Sequence, residues 1–178
     1  MQKWIKRIDR LSEIVGTSAA WLVVIMTLAM STEVLSRRLL GRPTTWAFDV
    51  SYMSYGAYFF LGSAYTLAKN AHVRGDIFYR NFSPRTQAII DFSLYLLVFF
   101  PAMIAMVVIG ADYFWESYRI RETSPLSPYD TPVYPLKAVI PIGAFLLLVQ
   151  GVAQVMRTII AIRTNRWPDE AQEAEVVA

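Results

Sequence analysis

Cysteine is absent from this chain of 178 residues, and histidine occurs once, as His72. Without cysteine the chain can form no disulfide, no thiol nucleophile, no iron–sulfur cluster and no cysteine-ligated zinc site. A single histidine excludes a haem held by two histidines of this chain, and it excludes any metal site that needs several histidines. The lack of cysteine does not identify the compartment.

Charge and catalytic motifs are also scarce. Charged residues make up 17 % of the chain against 55 % hydrophobic residues, and the mean hydropathy is +0.36. None of the long apolar segments has a charged residue near its centre, and no Gly-rich phosphate loop, H-E-x-x-H or G-x-S-x-G motif is present. A membrane enzyme or a self-sufficient ion-coupled carrier usually needs an ionisable group at depth. We therefore expect no enzyme, and no catalytic, cofactor-binding or metal-binding residue.

The chain does contain four apolar segments, each about as long as a bilayer crossing, which a helix makes in about 20 residues. We predict an all-α integral membrane protein with four transmembrane helices in a single membrane domain, 1–178. The first segment has a basic start but is longer than a signal-peptide core, so we interpret it as a retained signal anchor. The predicted spans are 14–35, 46–67, 89–109 and 138–162.

The basic residues divide unequally between the two sides that this topology creates. Of the 17 basic residues, eleven precede the first span, separate spans two and three, or lie at the end of span four, and six lie on the other side. Because cytoplasmic loops are enriched in lysine and arginine, both termini are predicted to be cytoplasmic. The segment 163–178 is then a cytoplasmic tail.

Residues 1–13 have the pattern of an amphipathic helix. Apolar residues recur at helical spacing, with Trp4 at headgroup level, while Lys3, Lys6 and Arg7 occupy the face that would meet anionic phospholipid. We predict an interfacial helix. The alternative is a helical extension of span one into water.

Glu33 and Arg37 lie one turn apart at the outer end of span one, in the favourable order for a helical ion pair. Two interpretations are open. Glu33 could be a coupling-ion or proton site, or the pair could anchor the helix end or lock it against a neighbour. Because a carboxylate at the bilayer edge costs much less than one at the centre, the position favours the structural interpretation.

Span two, which opens at Trp46, combines aromatic and small residues. Small residues permit close backbone approach, and the hydroxyls of residues such as Tyr52 and Tyr55 need partners in a dry environment. This predicts a helix packed against protein, either in the chain's own bundle or on a second subunit.

Three further features lie in the cytoplasmic loop, in span three and at the outer interface. His72, Arg74 and Asp76 alternate in the cytoplasmic loop, which indicates a hydrogen-bonded brace or, alternatively, a phosphate- or proton-handling site. Pro101 predicts a kink or local unwinding of span three. Trp115 marks the outer interface, where a proline-rich loop leads to Lys137 at the start of span four.

These residues together resemble the small membrane subunit (DctQ-type) of tripartite ATP-independent periplasmic (TRAP) transporters, over nearly the whole chain. The resemblance rests most on a loop, Ala-His-Val-Arg-Gly-Asp at 71–76, followed by Ser-Pro-Arg at 83–85. It is supported by Glu33 to Arg38 closing span one, Trp46 opening span two, Tyr-Pro-Leu-Lys at 134–137 and Leu-Val-Gln-Gly at 148–151.

The resemblance implies an accessory subunit of the bacterial or archaeal cytoplasmic membrane. Its stable partner would be a large membrane subunit that holds the substrate and sodium sites. An extracytoplasmic binding protein would dock transiently, and neither nucleic acid nor a cofactor is implied. The small subunit would be a scaffold in sodium-coupled uptake of an organic acid or similar solute. Within it, the candidates for a subunit-interface or structural role are Glu33, Arg37, Trp46, Tyr52, Tyr55, His72, Arg74, Asp76, Trp115 and Lys137.

Two other functions are weighed against this one. An autonomous four-helix antiporter would use Glu33 as a proton-coupled carboxylate, but that residue lies near the end of its span rather than at mid-membrane. A membrane enzyme using His72 would need a nucleophile partner, which the loop lacks.

Overall fold

The computed structural model describes residues 1–69, 79, 81–125 and 130–168, and in these the chain is helical. This confirms the predicted all-α class for the described part of the chain. The elements are α1 (Gln2–Leu39), α2 (Ala47–Ala68), α3 (Pro84–Leu94), a π-helical segment (Tyr95–Phe99), α4 (Phe100–Arg119) and α5 (Tyr134–Thr164).

Helix α1 is unbroken from Gln2 to Leu39, so it includes both the predicted interfacial segment and the first predicted span. Its 38 residues extend about 57 Å at 1.5 Å per residue. Ile5 is buried in the bundle. Residues 1–13 are therefore helix continuous with the span, and that they lie at the membrane interface stays a prediction.

Within the described residues, three helices are long and apolar enough to cross a membrane, by length and composition: Gln2–Leu39, Pro84–Arg119 and Tyr134–Thr164. The third predicted span, 89–109, is thus the central part of a continuous helical stretch that includes α3, the π-helical segment and α4. Helix α2 coincides with the predicted span 46–67, but its tyrosines and serines lower its hydropathy. That α2 crosses the membrane stays a prediction.

Helix α5 is the centre of the bundle, since it packs against α1, α2, α3 and α4, while α1 and α2 form an antiparallel hairpin beside it. Glycines allow the closest approaches. A Cβ on Gly143 would lie 3.1 Å from the backbone oxygen of Phe60, and one on Gly151 would lie 2.5 Å from the ring of Phe99. Gly16 gives α1 a similar approach to Tyr65 of α2. Small residues therefore set the helix spacing, as they commonly do in membranes.

The expected disturbance at Pro101 takes the form of a π-helical turn. The amide of Phe100 donates to the carbonyl of Tyr95, five residues back, rather than four. A proline ring clashes with the carbonyl four residues before it and donates no hydrogen bond. The wider turn just before Pro101 accommodates that ring without ending the helix.

Candidate functional site

A polar cluster joins the first turns of α1 to the middle of α5. Gln150 is fully buried. Its Oε1 accepts a hydrogen bond from Ser12 Oγ at 2.7 Å, and its Nε2 donates to Asp9 Oδ1 at 2.9 Å. The amide side chain of Gln150 thus uses its acceptor and one of its donors in bonds to α1. These bonds fix the position of α1 along α5.

Arg157 extends this cluster about two turns further along α5. Its Nη2 lies 2.6 Å from Asp9 Oδ2, and its side chain is only 7 % exposed. Its Nη1 donates to Gln154 Oε1 at 3.3 Å, and Gln154 Nε2 donates to the carbonyl of Leu67 at 2.7 Å. Because the carbonyl of Leu67 belongs to the last turn of α2, one connected network holds three helices at the predicted cytoplasmic end.

A second ion pair at the same end is exposed. Lys69 Nζ lies 3.3 Å from Glu13 Oε1, with both side chains about half exposed. Exposed pairs of this kind contribute little to stability. The buried cluster, rather than this pair, holds α1, α2 and α5 together.

Glu33 and Arg37 form an ion pair at the opposite end of α1, with 2.5 Å between Arg37 Nη2 and Glu33 Oε1. The other carboxylate oxygen accepts hydrogen bonds from the amide of Thr44, at 2.6 Å, and from its hydroxyl. Ser36 Oγ donates to the carbonyl of Arg42 at 2.6 Å. Glu33 therefore ties the end of α1 to the turn that precedes α2.

Lys137 lies in the first turn of α5 and makes two contacts within the chain. Its Nζ lies 2.5 Å from Glu122 Oε2 and 3.8 Å from the centre of the Tyr113 ring. The hydrogen bond from Lys137 lowers the pKa of Glu122 below its usual value of 4.5. The ammonium thus joins the start of α5 to the end of α4 and the loop that follows.

The loop between α4 and α5 folds back on itself and is also tied to α2. Thr123 and Pro132 form an isolated antiparallel bridge. Thr131 Oγ1 donates to Asp49 Oδ2 at 2.9 Å, and Asp49 is buried in the first turn of α2. The described part of the proline-rich loop therefore forms a cap that covers the predicted outer end of α2.

The aromatic residues predicted to mark interfaces are exposed. Trp46 occupies the N-cap position of α2, and Trp115 stacks on Tyr118 near the end of α4. Trp4 holds Arg7 over its ring at 5.3 Å. Lys3, Lys6 and Arg7 are exposed at the start of α1, which leaves them accessible to lipid headgroups.

Tyr52 and Tyr55 lie on an exposed face of α2, with 56 % and 58 % of their surfaces accessible. They border a groove of about 920 Å³ between α1 and α2. The packing predicted for these residues is thus not supplied by the described part of this chain. His72, Arg74 and Asp76 lie outside the described residues.

The inner polar cluster was missed by reasoning from sequence. A pattern of charged residues near span centres does not reveal it, because Gln150 is uncharged and because Asp9 and Ser12 fall in the segment interpreted as interfacial. A signal does exist: Ser12 and Asp9 interrupt an otherwise apolar face, and Gln150 and Gln154 lie one turn apart within an apolar span. Within the described residues no group of three or more His, Cys, Asp or Glu side chains could hold a metal ion.

Comparison with known families gives a match over most of the chain. The family described as tripartite ATP-independent periplasmic transporters, DctQ component, matches residues 26–161. The matched region contains the Glu33 brace, α2, the groove-lining tyrosines and Gln150, whereas Asp9 and Ser12 precede it. No curated protein matches the chain.

Proposed function

Because the chain belongs to the DctQ family of small membrane components of TRAP transporters, we propose that it is the scaffold of a sodium-coupled uptake system for an organic acid or similar small solute. The family is one of multi-pass transporter subunits rather than enzymes. It works with a large membrane subunit and a substrate-binding protein. In this proposal the substrate and sodium sites belong to the large subunit.

The bottom-up support for a scaffold is the way the chain uses its polar groups. Asp9, Gln150 and Arg157, the polar groups of the inner cluster, are paired with one another within the bundle. A carrier needs polar groups free to meet its substrate and ions at depth. Groups committed to holding helices together suit a fixed body instead.

The proposed topology has four crossings with both termini in the cytoplasm of a bacterium or archaeon. The basic-residue bias supports this orientation. The structure is compatible with it, since the N-terminal part of α1, the end of α2 and the C-terminal half of α5 meet in one cluster. The side that carries the Glu33 and Lys137 braces would then face the extracytoplasmic binding protein.

Contact roles follow from the same proposal. Tyr52 and Tyr55 would meet the large subunit, and the loop with His72, Arg74 and Asp76 would organise its cytoplasmic contact. Trp46, Trp115 and Lys137, with the Glu33–Arg37 pair, would shape the outer rim. Lys3, Lys6 and Arg7, together with Trp4, would bind phospholipid headgroups.

No observation favours the autonomous antiporter. Its proton-coupled carboxylate would be Glu33, but both oxygens of that carboxylate accept hydrogen bonds from Arg37 or Thr44 at the helix end. Protonation there would break the brace between α1 and the following turn.

The test is co-expression of the tagged chain with its cognate large subunit, followed by purification and reconstitution with the binding protein. We expect the two membrane proteins to purify together. Uptake of radiolabelled succinate or sialic acid should need all three components and an inward sodium gradient. Uptake by the chain alone would refute the proposal, as would a large subunit that is equally stable and active without the chain.

A further inference from the structure

The groove between α1 and α2 is unusual in its hydroxyl groups. Hydroxyl-bearing side chains line it from both helices, although it runs along the outer halves of two proposed membrane spans. They are Thr27 and Ser31 on α1, and Ser51, Tyr52 and Tyr55 on α2. A surface that meets only acyl chains gains nothing from this composition, because hydrocarbon neither donates nor accepts hydrogen bonds.

Most of these hydroxyls have no partner within the described residues. Thr27 donates to its own helix, at the carbonyl of Val23. Ser51 is only 8 % exposed, and its Oγ is buried without a hydrogen-bond partner in the described part of the chain. The phenol groups of Tyr52 and Tyr55 have none there either, and their rings stack instead on Phe48 and Phe59.

Depth makes these unpartnered groups informative. Tyr55 lies eight residues beyond Ala47, about 12 Å along α2 at 1.5 Å per residue. Across a hydrocarbon core about 30 Å thick, that position is well below the headgroups. A tyrosine at headgroup level can hydrogen-bond to water, but one at this depth needs a polar group from protein.

The aromatic rings are also prepared for contact. Phe48 and Tyr52 are stacked with an interplanar angle of 4° and a centroid distance of 6.4 Å, and Tyr55 and Phe59 form a second stack one turn further on. Rigid aromatic side chains lose little conformational entropy on binding, which is why tyrosine is enriched in the buried centres of interfaces.

We propose that this groove is the docking site for a transmembrane helix of the large transporter subunit, one that presents hydrogen-bonding side chains to the exposed hydroxyls of Tyr52 and Tyr55. The inference rests on the proposed function for its partner, and it adds the surface and the chemistry of the contact. Lipid and a second copy of this chain are the competing occupants. An acyl chain neither donates nor accepts hydrogen bonds, so it would leave the hydroxyls of Tyr52 and Tyr55 without a partner.

The test uses the tagged chain co-expressed with its cognate large subunit in native membranes. A photo-cross-linking amino acid replaces Tyr52 or Tyr55 in turn. Leu97 of the π-helical segment and Ile109 of α4 are replaced in the same way as exposed controls outside the groove. Because the chain has no cysteine, single-cysteine variants at the same positions provide a second cross-linker. We expect adducts with the large subunit from Tyr52 and Tyr55, and weaker or no adducts from the controls.

The outcomes separate this inference from the proposed function. If the unmodified chain does not purify with the large subunit, the proposed function itself fails. If the complex forms but groove positions give adducts only with lipid, only with a second copy of the chain, or only as often as the controls, the docking site is wrong.

Removal of the tyrosine hydroxyls measures how much their hydrogen bonds contribute to association with the large subunit. Tyr52→Phe and Tyr55→Phe should each weaken association in the membrane about threefold, the size of an average interhelical hydrogen bond in lipid, and the double variant about tenfold. Tyr118→Phe, an exposed tyrosine of α4, is the matched control and should leave association unchanged. Equal affinity of the double variant and the wild type would overturn the hydrogen-bonding chemistry even if cross-links place the partner there.

Discussion

Replacement of Gln150 by leucine tests whether the inner cluster stabilises the bundle. Leucine keeps the side chain about the same size, so the change removes hydrogen bonds without opening a large cavity. Two bonds are lost: the one from Ser12 Oγ at 2.7 Å and the one to Asp9 Oδ1 at 2.9 Å. Ser12 is only 2 % exposed, so its hydroxyl cannot turn to water.

The expected loss follows from these contacts. A hydrogen bond between membrane helices contributes about 0.6 kcal/mol on average and about 1.7 kcal/mol at most, and a buried polar group without a partner costs about 1–3 kcal/mol. We expect Gln150→Leu to lower the free energy of unfolding by about 2–3 kcal/mol. Ser12→Ala alone should cost about 1 kcal/mol, because Gln150 keeps its bond to Asp9.

The decisive measurement is the double-mutant cycle. If Ser12 and Gln150 stabilise the bundle through their mutual bond, the double variant should cost about 1 kcal/mol less than the sum of the single variants. Unfolding in mixed micelles of increasing SDS content, followed by circular dichroism, gives each value. Thr17→Ala is the control, since that exposed hydroxyl bonds only to its own helix and should change stability by less than about 0.5 kcal/mol. Strictly additive single effects would show that the contact carries no energy.

Two other predictions concern helix spacing and the outer loop. Gly16→Ala places a Cβ 2.4 Å from the Cβ of Tyr65 and should lower the free energy of unfolding by about 1–3 kcal/mol in the same assay. The control is Gly62→Ala, which has no atom within 4 Å and should be neutral or slightly stabilising. Equal effects of the two variants would mean that α1 and α2 do not approach as described. Because the pKa of Glu122 is lowered in the folded protein, its bond to Lys137 contributes stability above pH 4.5 that is lost as the pH falls through the lowered value. The melting temperature of Glu122→Gln should therefore lie below that of wild type at pH 7, and the two should converge on acidification; a constant difference from pH 7 to pH 3 would contradict this.

The helices could be predicted from sequence because their signals are local. The apolar runs predicted four elements close to the observed helices. Helix α3 begins at the Ser83–Pro84 pair, with Thr86 donating its amide to Ser83 Oγ. Pro101 predicted a disturbance, but not that it would be a π-helical turn. The continuity of α1 was harder to predict, since an amphipathic pattern alone fits both an interfacial helix and a helical extension of the span.

The partners of the polar side chains could not be predicted, because they depend on which helices are neighbours. Gln150 and Ser12 are 138 residues apart in the chain, and nothing local links them. Glu33 shows the same limit at closer range. Its pairing with Arg37 follows from helical spacing, but its bonds to Thr44 depend on the turn that brings α2 back.

The positions of these contacts along the helices determine how easily the helices could slide past one another. In lipid no hydrophobic force drives helices together, so packing of small residues and hydrogen bonds must specify the bundle. Here the polar contacts that act as braces between elements lie towards both ends of the bundle. Asp9 contacts Arg157 and Gln150 at one end. Glu33 contacts Thr44, and Glu122 contacts Lys137, at the other end.

Glycine contacts lie between these braces. A slide of α1 along α5 by one helical turn, about 5.4 Å, would break the bonds of Asp9 to both Gln150 and Arg157 and press Gly16 and its neighbours out of register with Tyr65. Transporter elements that move must tolerate such slides, which in this bundle would break the contacts of Asp9. Resistance to sliding is the mechanical property that a fixed scaffold needs, and it makes the exposed hydroxyl-lined groove, rather than the bundle interior, the place to look for coupling to a partner.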